Sequence, residues 1–140
     1  MVVRNHGSRR CYLQGAQVIL LDTHAVIWLL ALNRGVEGLL ASGQPLLLSP
    51  VSILEFRFLI EAGKARIAEP DWERRLAHDP RFRIDDCRIA DIVAAASDLG
   101  FTRDPFDRLI AGHAIARGYR LATADTVLLD HLPRSRVFPL

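Results

Sequence analysis

The sequence predicts an α/β fold, a three-layer α/β/α sandwich with a mostly parallel central sheet. Short apolar runs alternate along the chain with longer segments of helical periodicity. The first run, residues 18–21, contains four aliphatic residues without a polar break, as expected for a strand buried on both faces of a parallel sheet. Glycine, proline and capping residues separate the segments, and no repeat or linker interrupts them. We therefore expect one domain over residues 18–140.

Capping residues and glycines set the predicted element boundaries. Thr23 is expected to cap a first helix, and Ser49-Pro50 is a typical helix opening, because proline at the first helical position loses no hydrogen-bond donor. Thr123 is likewise expected to cap a short helix. The predicted strands cover residues 18–21, 46–48, 82–84, 119–122 and 137–138. The first predicted helix begins at about residue 24. Six further helices are predicted over residues 36–42, 50–62, 70–78, 88–99, 105–117 and 124–131.

Charge divides the chain into two parts. Residues 1–17 hold three arginines and no acid, lack apolar periodicity, and are predicted to form a flexible basic extension. The whole chain has a net charge of +2, but the residues after this extension hold 15 bases and 16 acids. The domain is therefore not a basic nucleic-acid module of the usual kind. If it handles nucleic acid, metal ions and locally placed arginines must offset the phosphates.

Cysteine usage and hydropathy indicate the compartment. Cys11 and Cys87 lie far apart and make no metal-type spacing, which favours a reduced, cytoplasmic setting. The longest apolar runs, such as residues 26–32, are shorter than a membrane span, and the N-terminus lacks the apolar core of a secretory signal. We expect a cytoplasmic protein with no membrane partner.

Two acids follow predicted strands. Asp22 comes directly after residues 18–21, and Asp125 lies in the turn after residues 119–122. Each has an ordinary interpretation as an acid at the start of a helix. Because parallel strands bring their carboxyl ends to one edge of a sheet, both carboxylates are also expected at the edge where ligands bind.

Glu55 lies in a predicted helix that is apolar on nearly every face, so we expect the side chain to be largely buried. Glutamate is rarely buried without a partner. Arg57 is two residues away and points elsewhere on a helix, so a structural ion pair needs a more distant arginine. Ser52 is a helical neighbour that can orient the carboxylate. A metal-binding or catalytic role is the preferred interpretation.

Asp104 and Asp107 open the helix over residues 105–117. Asp104 is expected to cap it, and an acid at Asp107 complements the helix dipole. This helix start accounts for both residues without any function. Asp107 nevertheless lies one turn into the helix, from where it can project toward the sheet edge.

Four acids at one edge, namely Asp22, Glu55, Asp107 and Asp125, would not stay ionised together without cations. Oxygen ligands suit Mg²⁺ or Mn²⁺ rather than zinc, and such ions support phosphodiester hydrolysis by activating a water. The five histidines show no paired helical spacing. The sequence also lacks the Gly-x-Ser-x-Gly elbow of Ser-His-Asp hydrolases and a glycine-rich phosphate loop.

In their order along the chain, these motifs resemble those of PIN-domain ribonucleases, and among them the VapC-type toxins of bacterial toxin–antitoxin pairs. The matching stretches are LLDTHAVIWL at 20–29, SPVSILE at 49–55, GK at 63–64, DPFDRLIA at 104–111 and LATAD at 121–125. The resemblance implies a PIN-like fold and a metal-dependent endoribonuclease that hydrolyses RNA with a metal-activated water.

The resemblance also implies roles for individual residues and partners. The residues that would hold one or two Mg²⁺ or Mn²⁺ ions and carry catalysis are Asp22, Glu55, Asp107 and Asp125. Thr23, Ser52, Asp104 and Thr123 match supporting polar positions. The arginines expected near the edge, where they would position the RNA, are Arg57, Arg103 and Arg108. A cognate antitoxin and a homodimer are the implied protein partners.

Three other functions are compatible with parts of the sequence. A receiver-like signalling domain needs an acidic pair before the strand end and a late lysine, but Lys64 is the only lysine and lies mid-chain. An aspartate-nucleophile phosphatase needs a second acid two residues after Asp22, where His24 stands. A catalytically silent PIN-fold RNA-binding or scaffold protein is the alternative that stays open, although the presence of all four acids argues against it.

Overall fold

The computed structural model describes residues 17–140, which contain five short strands and seven α-helices. The strands are β1 Ile19–Leu21, β2 Leu46–Leu48, β3 Arg83–Ile84, β4 Arg120–Thr123 and β5 Val137–Pro139. The helices are α1 Thr23–Leu30, α2 Glu37–Ala41, α3 Pro50–Glu61, α4 Trp72–Ala77, α5 Ile89–Ser97, α6 Pro105–Arg117 and α7 Thr126–His131. The predicted extension falls almost wholly outside these residues and stays a prediction.

The strands form one sheet in the order β3-β2-β1-β4-β5, and every pairing among them is parallel. β1 is central, with β2 on one side and β4 on the other. All three residues of β1 and of β2 are buried, as their unbroken aliphatic runs predicted. The α/β fold class with a parallel sheet is therefore confirmed.

Alternate residues of the strands face opposite layers. Leu21 belongs to an apolar cluster that includes Leu29 of α1 and Phe56 of α3. Leu20, one residue earlier, belongs to a second cluster that includes Ile110 of α6. Burial of both sheet faces under helices gives the three layers that the sequence predicts.

Two of the predicted helix caps are wrong. Asp22, not Thr23, caps α1, because its Oδ1 accepts a hydrogen bond from the Ala25 amide at 2.7 Å. Asp125, not Thr123, caps α7, and its Oδ1 accepts from the Leu128 amide. In both cases the acid is the last extended residue, and its oxygen reaches the amide three positions on.

The other punctuation of the helices agrees with the sequence. Ser49 and Asp104 cap α3 and α6 through their side-chain oxygens, and Gly63 and Gly118 have the left-handed φ values of 69° and 71° after these helices. Gly112 has a different role, since a Cβ there would lie 2.8 Å from the Ile92 carbonyl of α5. The close approach of α5 and α6 therefore depends on that glycine.

None of the helices formed by residues 17–140 has the length and apolar character needed to cross a bilayer.

Candidate active site

The candidate site lies at the carboxyl ends of the central strands. The chain proceeds from β1 to β2 and β3 on one side of the sheet before β4 is added on the other side. The crevice between β1 and β4 is therefore a topological switch point, where open α/β sheets bind ligands. Asp22 directly follows β1, and Asp125 lies two residues after Thr123, the last residue of β4.

Asp22 is 5% exposed and is the most buried acid of the site. Burial raises the pKa of its carboxyl group, and the charge of Asp125 raises it further. Hydrogen bonding by Thr123 and the Ala25 amide, together with the charge of His24, lowers the same pKa but does not cancel the effect of burial. The fold thus holds a carboxyl group where its ionisation is unfavourable unless a cation approaches.

Glu55 enters the site from α3 and contacts a residue of α1. The Thr23 hydroxyl donates a hydrogen bond to Glu55 Oε2. Burial raises the pKa of Glu55, the Thr23 hydrogen bond lowers it, and the charges of Asp104 and Asp22 raise it. The hydrogen bond links two residues 32 positions apart in the chain, so it brings α1 and α3 together at the carboxylates.

Two expectations about Glu55 are corrected. It is half-buried rather than largely buried, because α3 leaves Leu54 and Phe58 54% and 51% exposed. Ser52 does not orient it, since the Ser52 hydroxyl is buried without a hydrogen-bond partner among the described residues. The apolar periodicity of α3 did not distinguish a helix packed on all sides from one with an open apolar face.

The first turn of α6 supplies two more acids. Asp104 Oδ1 accepts hydrogen bonds from the Phe106 and Asp107 amides at 2.8 and 3.2 Å, which fixes the start of the helix. Asp107 is half-buried, and its pKa is raised to about 7. Burial is the largest cause, followed by the charges of Asp104, Asp125, Glu55 and Asp22. The pKa of Asp107 is therefore raised by acids from every other segment that contributes to the site.

No arginine neutralises this group of acids in the described part of the chain. The ion pairs found within residues 17–140 involve other acids, namely Glu69, Glu73, Asp79 and Asp85. The structural ion pair considered for Glu55 is thus not formed there. The site therefore combines buried or half-buried carboxyl groups that repel one another, and within residues 17–140 none of them forms an ion pair with an arginine.

The three arginines predicted to position a substrate differ in their surroundings. Arg57 pairs with Glu73 at 2.5 Å and lies over the Trp72 ring at 5.2 Å, away from Glu55 on α3. Its predicted substrate role therefore has no support in the geometry. Arg108 donates from Nε to the Leu99 carbonyl at 2.9 Å. Arg103 is exposed beside Asp104 and is the better candidate.

The donor set fits a hard divalent cation. Its side chains offer carboxylate and hydroxyl oxygens, and the raised pKa values show acids that a cation would stabilise in ionised form. Within residues 17–140, no three acid, histidine or cysteine side chains are already arranged to hold an ion. Mg²⁺ does not require such a cage, because it is commonly held by one or two carboxylates with waters and substrate phosphates completing the octahedron.

Asp85 and His113 form a polar cluster that was not predicted from the sequence. His113 is completely buried, and both of its ring nitrogens are hydrogen-bonded, one with Ser49 and the other with Asp85. Asp85 follows β3 just as Asp22 follows β1. An acid directly after a strand was the signal that identified Asp22, and the same signal was available for Asp85.

Comparison with known proteins gives a family match over most of the domain. The family model described as PIN domain matches residues 19–134. A curated relative, Ribonuclease VapC22 of Mycobacterium tuberculosis, is 32% identical over 120 residues, which span 81% of this chain and 91% of the relative.

Solved structures share the fold. VapBC2 of Rickettsia felis bound to a promoter DNA fragment has a TM-score of 0.62 at 21% identity, covering 88% of this chain and 98% of the matched chain. A toxin–antitoxin complex of Klebsiella pneumoniae has a TM-score of 0.61 at 19% identity, covering 87% and 99%. The DNA-bound VapBC of Salmonella typhimurium has a TM-score of 0.59 at 20% identity, covering 86% and 96%.

Proposed function

The chain belongs to the PIN-domain family, and from that membership we propose that it is a metal-dependent endoribonuclease and the toxin of a toxin–antitoxin pair. The proposal rests above all on one observation. Asp22 after β1, Glu55 of α3 and Asp107 of α6 each have a raised pKa to which neighbouring acids contribute, and no arginine among residues 17–140 pairs with them. The similarity to a ribonuclease over 91% of that relative's length supports the same reaction class.

We propose that Asp22, Glu55, Asp107 and Asp125 hold Mg²⁺ or Mn²⁺ and carry catalysis. When bound, such an ion lowers the pKa of a water and stabilises negative charge on a phosphate. Because the pKa of Asp107 is about 7 in the metal-free protein, loading the site releases a proton from this carboxyl group near neutral pH.

The supporting residues keep the carboxylates in place. Thr23 holds Glu55 by a hydrogen bond, and Thr123 hydrogen-bonds the Asp22 carboxyl group. Thr123 also accepts a hydrogen bond from the Asp125 amide at 3.0 Å, so one hydroxyl at the end of β4 serves both strand-end acids. Asp104 supports Asp107 by fixing the first turn of α6.

We propose RNA as the substrate, with Arg103 contributing a phosphate contact. Its guanidinium group is suited to phosphate oxygens, and it adjoins the acidic first turn of α6. Arg108 lies near the same turn, but its hydrogen bond to the Leu99 carbonyl makes it mainly a support for α6. Arg57 is left out of the proposed substrate set because Glu73 and Trp72 engage it.

A cognate antitoxin and a second copy of the chain are the proposed protein partners. The names of the structural neighbours describe toxin–antitoxin complexes, and they are similar to this chain in fold. Exposed apolar side chains offer surface for such contacts: Leu54 and Phe58 lie on α3, and Ile89 and Val93 lie on α5.

The decisive experiment compares wild type with Asp22→Asn. Purified protein is incubated with a mixed RNA pool in Mn²⁺ or in excess chelator, and the new RNA ends are sequenced. We expect specific ends only for wild type with metal, while both proteins unfold cooperatively in thermal melts. Asp130→Asn, an exposed acid on α7, is the matched control and should cut normally. Undiminished cutting by Asp22→Asn would contradict the proposal.

Calorimetric titration with Mn²⁺ separates the nuclease from a silent PIN-fold scaffold. For the nuclease, we expect wild type to bind Mn²⁺ and Glu55→Ala to bind it more weakly, because one carboxylate ligand has been removed. A scaffold would give no binding that depends on the acids.

A further inference from the structure

A buried chain of hydrogen bonds connects the two helices that carry Glu55 and Asp107. His113 of α6 is 0% exposed, and its Nδ1 lies 2.9 Å from the Oγ of Ser49, the cap of α3. Its Nε2 lies 2.8 Å from Oδ2 of Asp85, which directly follows β3. The three residues come from segments that are far apart in sequence and meet at the carboxyl edge of the sheet.

We propose that His113 is a positioning residue, which holds α3 and α6 in the relative orientation that Glu55 and Asp107 need to share a divalent cation. This inference rests on the proposed nuclease function and adds a residue to it. His113 hydrogen-bonds Ser49 and Asp85 but none of the four proposed metal-binding acids, and it is fully buried, so it would act only through the placement of the two helices.

The protons of the network can be assigned from its partners. Asp85 accepts two hydrogen bonds from Arg117, at 2.8 Å from Nε and 3.0 Å from Nη2, and is ionised because its pKa is lowered to about 2. His113 Nε2 therefore carries the hydrogen that Asp85 accepts. The Ser49 Oγ accepts from the Val51 amide at 3.2 Å and can donate its own hydrogen to Nδ1.

Every polar atom of this network then has a partner. The hydrogen bonds run in one direction, from the first turn of α3 through Ser49 and His113 to Asp85, where Arg117 balances the charge. Buried networks that are fully satisfied restrict the elements they join to one arrangement. This network is therefore suited to fixing an angle between helices rather than to binding a ligand.

The order Ser49, His113, Asp85 matches that of a hydrolase triad, but the burial argues against nucleophilic catalysis. Ser49 and His113 are both 0% exposed, so no substrate can reach the Oγ. The same Oγ also serves as the helix cap. The arrangement is therefore structural, and the effect we expect from it is on the positions of Glu55 and Asp107.

The distances of Glu55 and Asp107 from this hydrogen-bond network give the expected displacement of their carboxylates. Ser49 lies six residues before Glu55, and His113 lies six residues after Asp107. Six residues of helix span about 9 Å, so a change of about 5° in helix direction would displace either acid by roughly 0.8 Å. A misplacement of about 1 Å can cost roughly a hundredfold in rate.

The test uses His113→Leu, which removes both hydrogen bonds at similar volume, and His113→Gln, whose amide can still donate to Asp85. Mn²⁺ binding to the metal-free proteins is measured by calorimetry, and kcat and KM are measured on one RNA. For His113→Leu we expect Mn²⁺ affinity and kcat to fall roughly tenfold to a hundredfold, with KM for RNA little changed. His113→Gln should recover part of the loss.

The control for a merely structural effect is Val36→Ala, a buried change in the apolar cluster on the other face of the sheet from α6, which lowers stability without removing a hydrogen bond of the network. Assays are run at a temperature where all variants are folded. Wild-type Mn²⁺ affinity and kcat in His113→Leu, or an equal loss in Val36→Ala, would overturn the inference. If His113→Leu does not fold, His113→Gln decides: a smaller but measurable loss of Mn²⁺ affinity and kcat supports the inference, and wild-type values overturn it.

The failure of this inference is distinguishable from that of the proposed function. If wild type neither binds Mn²⁺ nor cuts RNA, both fail. If wild type does both and Asp107→Asn loses both, while His113→Leu behaves as wild type, only the positioning role of His113 is wrong.

Discussion

Removing the charge of Asp107 is expected to stabilise the metal-free protein while it weakens metal binding. The pKa of Asp107 is raised from 3.8 to about 7 by burial and by the neighbouring acids. Between these values the folded protein retains a proton that the unfolded chain releases, so the free energy of unfolding falls as pH rises. Above about pH 7 the loss is complete. Asparagine has no proton to release and avoids this penalty.

The magnitude follows from the size of the pKa change. A rise from 3.8 to about 7 corresponds to roughly 4 kcal/mol if none of it is screened. Because the side chain is only half-buried, solvent screening reduces this to about 1–2 kcal/mol. For a domain of this size, that difference corresponds to about 4–8 °C in melting temperature.

Thermal unfolding in excess chelator at pH 4 and pH 8 tests this reasoning. Asp107→Asn should melt several degrees above wild type at pH 8 and close to wild type at pH 4, where Asp85 is still ionised because its pKa is about 2. Added Mn²⁺ at pH 8 should raise the melting temperature of wild type more than that of the variant. Asp130→Asn controls for the loss of one exposed charge. The reasoning is refuted if Asp107→Asn is less stable than wild type at pH 8, or if the difference is equal at both pH values.

Three further predictions concern single contacts. Thr23→Val keeps the shape of the buried side chain but removes its hydrogen bond to Glu55. Calorimetry should therefore show roughly tenfold weaker Mn²⁺ binding, and an unchanged affinity would contradict the supporting role of Thr23. Gly112→Ala would bring a Cβ to 2.9 Å from the Ala96 Cβ, so urea unfolding should show the free energy of unfolding reduced by about 1–3 kcal/mol. Wild-type stability would argue against the close contact of α5 and α6. Because the pKa of Asp85 is lowered from 3.8 to about 2, the stability that its carboxylate contributes should be lost as pH falls from about 4 to about 2. Thermal unfolding measured across this pH range should show no such loss for Asp85→Asn.

Local signals account for the parts of the fold that the sequence predicted well. Residues 46–48 were predicted as a strand and form β2, and the helix after Asp104 ends before Gly118 as expected. Such boundaries depend on capping oxygens, proline and glycine within a few residues of the helix end. The exchange of caps between Thr23 and Asp22 has the same origin, because both residue types are good caps and only the backbone conformation selects one.

Contacts between distant segments account for the parts that were missed. The burial of Glu55 was overestimated because the pattern of α3 does not reveal which of its apolar faces has a partner. The engagement of Arg57 by Glu73 depends on where α4 packs, 16 residues further along the chain. The joining of Ser49, Asp85 and His113 spans up to 64 residues and leaves no periodic trace in any one segment.

The sequence by itself determined the alternation of strands and helices, the acids that follow the strands and open α6, and the resemblance to one family. The tertiary structure alone decided the strand order that makes β1 and β4 neighbours, the hydrogen bond between Thr23 and Glu55, and the buried hydrogen-bond network around His113. The physical reason is one of range. Dihedral preferences and capping act over a few residues, whereas charge repulsion, burial and side-chain networks exist only after distant segments have been brought together.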